Sequence, residues 1–166
     1  MEGKTTMSND LIVQGKQPSL LEIRMDSKKY PRLCRYSKED ADRAMVTIVS
    51  KAFLYRGQTA DPSVIGFTAS ALVDELLQED KYGAKYLSLE EIAIIVKKAV
   101  LESDIFISVS TLYRAIVDFC KGEGTRIQQE AAALKRRQDV ESLRNSVVAP
   151  MLQAYTGQFI NEHKIK

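Results

Sequence analysis

The residues best suited to chemistry lie in one short stretch, Lys28-Lys29-Tyr30-Pro31-Arg32-Leu33-Cys34-Arg35-Tyr36. Four cations interleaved with two tyrosines offer phosphate ligands and ring faces on which bases stack. On this reading Lys28, Lys29, Arg32 and Arg35 hold phosphates, and Tyr30 or Tyr36 stacks. Lys135-Arg136-Arg137 forms a second cationic patch within a long polar segment. Short basic runs are also common as solvated connectors or helix faces, and composition by itself favours that plainer account.

Other chemistries lack their residues. One histidine, His163, and two cysteines, Cys34 and Cys120, make neither a zinc ligand set nor a disulfide framework. Both cysteines are expected as free thiols, with Cys120 in the core. Gly3-Lys4-Thr5 ends like a phosphate-binding loop, yet only two residues precede it and no strand leads in. No nucleophile elbow, H-E-x-x-H pair or glycine-rich cofactor loop occurs. The acid pairs Glu90-Glu91, Glu79-Asp80 and Asp40-Asp42 fall at helix ends, where carboxylates complement the dipole or face water. The expectation is a protein that is not an enzyme and takes no cofactor.

The elements that must position these residues are helices. In Leu87–Cys120, Ser88 and Glu91 form a capping box, and Leu89, Ile92, Ala93, Val96, Ala99 and Val100 recur at helical spacing. Ile94, Ile95 and Leu101 widen the apolar surface, which predicts a helix buried nearly all round. Ser108 or Ser110 caps a second helix carrying Leu112, Tyr113, Ile116, Phe119 and Cys120. Read as a helix-turn-helix, the pair would present Ser108, Ser110, Thr111 and Arg114 to bases. The connector is long, lacks glycine and carries Ile105, Phe106 and Ile107 like a buried corner, while Asp118 would repel phosphates. Two core helices are the better account.

Upstream, Ser37 with Asp40 opens a helix through Ala41, Met45, Ile48, Val49 and Ala52 that stops before Gly57. Asp61-Pro62 opens another through Ile65, Ala69, Leu72, Val73 and Leu76. Lys81 to Lys85 reads as a turn. Pro18 to Met25 is either a short helix or an extended strip docked by Leu20, Leu21 and Ile23. Downstream, Gly122 suits a helix C-cap and Gly124 a hinge. A polar helix from Thr125 follows, with a thin seam of Ile127, Ala131, Leu134 and Val147, and Pro150 should break or kink it. Met151, Leu152, Tyr155, Phe159 and Ile160 give a last apolar face.

The expected architecture is all-α, a compact bundle of about five helices with a mobile basic N-terminal arm and a long C-terminal helix. Its parts are 1–36 as arm, 37–122 as compact domain and 123–166 as helical extension. The net charge of +2 is uneven, at +4 over residues 1–38, −4 over 39–122 and +2 over 123–166. An acidic core between basic arms suits an acidic or nucleic-acid partner. No apolar run approaches the ~20 residues of a membrane span and no secretory signal opens the chain, so a cytoplasmic protein without a membrane partner is expected.

Phe67-Thr68-Ala69 with Leu72, then Leu87-Ser88-Leu89-Glu90-Glu91-Ile92, then Ile107-Ser108-Val109-Ser110-Thr111-Leu112-Tyr113 resemble small helical proteins of bacteriophages and of mobile elements in gut Bacteroidota. Some of these are helicase loaders or replication accessories. The resemblance spans roughly residues 37–121 and departs where Phe119-Cys120-Lys121 closes the second helix without an aromatic-and-basic motif. It implies an accessory of phage or mobile-element DNA metabolism that contacts DNA or a replication protein. The thin seam and apolar tail imply the alternative, a helical module that self-associates or docks on a protein through its C-terminal helix.

Overall fold

The computed structural model describes residues 17–148 and 150–152, and all of its regular elements are helical. Gly3-Lys4-Thr5, His163 and the apolar positions Tyr155, Phe159 and Ile160 lie outside the described residues. The helices are α1 (Leu20–Met25), α2 (Lys38–Tyr55), α3 (Pro62–Gln78), α4 (Leu89–Glu102), α5 (Val109–Phe119) and α6 (Thr125–Leu143). Among the described residues no helix is long and apolar enough to cross a membrane.

Local signals place the starts of the core helices. Ser37 accepts the Asp40 N–H, Asp61 accepts the Ser63 N–H with Pro62 behind it, and Ser88 and Glu91 close the expected box. Ser108, rather than Ser110, caps α5 by accepting the Thr111 N–H. Gly57 takes φ +63° just beyond α2, a left-handed turn that suits glycine.

α2 packs on α3 and α4, and α5 closes the bundle against both α3 and α4. Met45, Leu72, Leu76, Ile92, Leu112 and Ile116 are fully buried at the centre. Each such side chain contributes about 1.5–3 kcal/mol of transfer free energy. Two apolar expectations change. α4 is not buried all round, since Leu101 is exposed, and in the α4–α5 connector Ile107 is buried while Phe106 faces out.

The ends of the chain differ more. Residues 20–36 are not a mobile arm. α1 is closed by a Ser19–Glu22 capping box, buries Ile23 and lies against α4 and α6. Leu33 is wholly buried, and its N–H donates to the Leu87 carbonyl at 2.7 Å beside an antiparallel bridge between Arg32 and Ser88.

Gly122 and Gly124 do not end a helix. The chain passes from α5 to α6 through a π-helical turn, Cys120–Gly124, with right-handed backbone at both joins. A Cβ on Gly124 would come within 3.0 Å of the Phe119 carbonyl oxygen, so glycine serves close approach here rather than termination. The Thr125 hydroxyl donates to the Cys120 carbonyl at 2.8 Å and secures the wide turn. A second π-helical turn, Arg144–Val148, precedes Pro150, which is itself helical. The boundary expected at 122/123 therefore falls inside continuous helix.

Candidate nucleic-acid interface

The basic stretch divides once folded. Lys28, Lys29 and Arg35 are exposed, whereas Arg32 turns inward. Its Nη1 donates to Glu91 Oε2 at 3.0 Å and its Nη2 to the Arg24 carbonyl at 3.3 Å. Arg24 Nε donates to the other Glu91 oxygen, and Glu91 Oε2 also accepts the Ser88 N–H at 2.8 Å. Glu91 is completely buried. Arg32 is thus engaged within the fold, pairing with the buried Glu91 carboxylate.

Of the two tyrosines, Tyr36 packs against the core, and burial, followed by the charge of Glu90, raises its pKa above the ordinary value. Tyr30 is half-buried with the Lys29 ammonium 5.3 Å from its ring centroid. Cys34 is exposed and Cys120 buried, both free. Burial pushes the Cys120 thiol up to about 11, which keeps it protonated and unreactive.

The packing of α1 on α6 sets Lys29 and Tyr30 opposite Leu134 and Gln138, whereas Arg136 and Arg137 line a separate hollow with Val140, Glu141 and Arg144. Lys29 and Tyr30 line a groove of about 600 Å³ whose far wall is Leu134 and Gln138. Lys135, Arg136 and Arg137, which lie between those two positions in the sequence, are all exposed.

A third basic and aromatic segment joins them, one that had read only as a turn. Lys81-Tyr82-Gly83-Ala84-Lys85-Tyr86 repeats the Lys-Tyr step of residues 29–30, and each lysine lies over its neighbouring ring. That repeated dipeptide was the available signal. Glu79 holds the segment in place, its two carboxylate oxygens accepting the Tyr82 N–H at 2.6 Å and the Ala84 N–H at 2.9 Å. Gly83 takes φ +74° at the bend. Between this turn, α1 and the first turns of α6 lies a cleft of about 340 Å³ lined by Arg24, Arg32, Tyr82, Tyr86 and Gln128.

Glu79 and Glu91 thus do not face water; both are buried carboxylates that hold backbone and arginine donors. Glu91 is fully enclosed among protein atoms, and no group of three or more metal-ligating side chains occurs among the described residues. At the front of α5, Ser108 and Thr111 are spent on capping and on the Phe106 carbonyl, which leaves Ser110 and Arg114 exposed.

No family model, curated protein or solved structure matches the chain.

Proposed function

We propose that the protein is a non-enzymatic accessory of phage or mobile-element DNA metabolism that binds nucleic acid along the groove between α1 and α6. The observation that supports this reading most is that Lys29 and Tyr30 face α6 at Leu134 and Gln138, the turn of helix that also carries the exposed Lys135, Arg136 and Arg137. Residues about a hundred positions apart meet there, with Glu22 and Asp26 also in the lining, and the exposed cations beside the groove are the groups that would follow a phosphate backbone. The resemblance of residues 37–121 to mobile-element proteins supplies the biological setting.

Fluorescence anisotropy with labelled DNA across a salt series tests it. Micromolar binding whose logarithm falls linearly with log salt is expected. Replacing Lys28, Lys29, Arg35, Lys135, Arg136 and Arg137 by glutamine should weaken binding alike for all sequences and flatten the slope by about 0.7–0.9 per lost phosphate contact. Arg32 stays native in that variant because it holds Glu91. Unchanged binding would remove the groove from the account.

A second reading, a self-associating helical module, draws on the far end of the chain. Val140, Leu143, Val147, Met151 and Leu152 are all exposed on the helix that leaves the bundle. Light scattering of the full chain against one ending at Gln138 separates the readings. Truncation at Gly124 would be unsuitable, since it strips α1 of its packing partner and Ile127 from its buried site. A dimer that becomes a monomer on shortening would favour the module; a monomer in both cases would count against it.

A further inference from the structure

The cleft beside Tyr82 and Tyr86 offers more than a cationic surface. Its volume of about 340 Å³ falls at the low end of small-ligand sites, which run from roughly 300 to 1,000 Å³. Arg24, with a side chain only 11% exposed, lines it and donates its Nε to Glu91, which leaves the two Nη groups as its further donors. A guanidinium held by a carboxylate at the wall of a cleft keeps donors with which to meet an anion.

The two rings have different surroundings. Tyr82 is covered by the Lys121 ammonium at 4.6 Å and the Lys81 ammonium at 5.2 Å from its centroid. Tyr86 is 56% exposed and, among the described residues, has one ammonium over its ring, that of Lys85 at 5.5 Å. Tyr86 is therefore the ring with a face to offer. Lys85 and Lys121 pair with Asp80 and Asp118, carboxylates that are themselves largely exposed. Such surface pairs are weak, so both ammoniums can exchange their partner for a phosphate.

We propose that this cleft takes one unpaired base of a single-stranded nucleic acid, stacked on Tyr86 with an adjoining phosphate at the Arg24 guanidinium. The inference rests on the nucleic-acid reading above and adds strand selectivity to it. A base inside a duplex keeps both faces in its own stack and cannot enter without being extruded, so the cleft discriminates by the cost of unstacking.

The test compares wild type, Tyr86→Ala and Tyr86→Phe by anisotropy on a short labelled oligothymidylate and on a duplex of the same length. Wild type should prefer the single strand. Tyr86→Ala should weaken that binding about tenfold or more while leaving the duplex and the salt slope unchanged, because stacking is lost and no phosphate contact is. Tyr86→Phe should bind as wild type. Because the Tyr86 side chain is exposed, its loss leaves the core intact, and an unchanged melting temperature checks this. If Tyr86→Ala binds oligothymidylate as wild type does, while the groove variant loses binding, the cleft proposal falls and the nucleic-acid reading stands. If wild type binds neither probe at low salt, both fall.

Discussion

Glu91→Ala is expected to lower the unfolding free energy by about 3–5 kcal/mol, the usual cost of removing one partner from a buried ion pair. The substitution leaves Arg24 and Arg32 facing each other without the carboxylate that neutralises them. It also strips the Ser88 N–H of its acceptor and opens the capping box of α4. Because Arg24 and Arg32 belong to the N-terminal segment while Glu91 belongs to the bundle, the segment should detach before the rest unfolds. Urea denaturation read by circular dichroism gives the loss, and trypsin should cut faster after Arg24, Lys28, Lys29 and Arg32. Glu91→Gln, which keeps the shape of the cap but not the charge, should fall between the two. A loss in Glu91→Ala of under about 1 kcal/mol would mean that the arginines re-pair or reach water at little cost.

Leu33→Ala is the second large effect, at about 2–5 kcal/mol from lost apolar burial together with the cavity left behind. Leu33 is completely buried and sits one residue from the Arg32–Ser88 bridge. The expected result is a lower denaturation midpoint with a single cooperative transition, because the residue belongs to the same core as Met45 and Leu72. A change below about 0.5 kcal/mol, the range of surface substitutions, would mean that residues 20–36 are an appendage. On the proposed reading, nucleic-acid binding should weaken with this variant too, since the segment that Leu33 anchors carries Lys29 and Tyr30 into the groove.

Both effects concern a segment whose sequence reads as an arm, and the reason is physical. Lys28 to Tyr36 is rich in charge and interrupted by Pro31, so no helical period marks it for burial. Its burial comes from single anchors, Ile23 and Leu33, and from two arginines whose partner lies 67 and 59 residues away. Charge by itself does not reveal which of four neighbouring cations will turn inward. The same limit hid Lys81 to Tyr86, whose Lys-Tyr steps matter only once Glu79 has folded the turn beside α1 and α6.

What the sequence by itself determined is the helical architecture, with the start of α2 at Ser37, of α3 at Asp61 and of α4 at Ser88, and the apolar stripes that make the core. Those signals are complete within a few residues, because a cap satisfies its own helix end and a 3.6-residue period defines its own face. Gly122 and Gly124 carry a signal just as local, yet one compatible with two outcomes, a C-cap or close approach inside a wide turn. Only the position of Phe119 against Gly124 decided between them. Tertiary structure likewise decided which cations are structural and which face solvent, and which distant segments share a groove. Ion pairing and surface convergence depend on where other elements of the chain have already been placed.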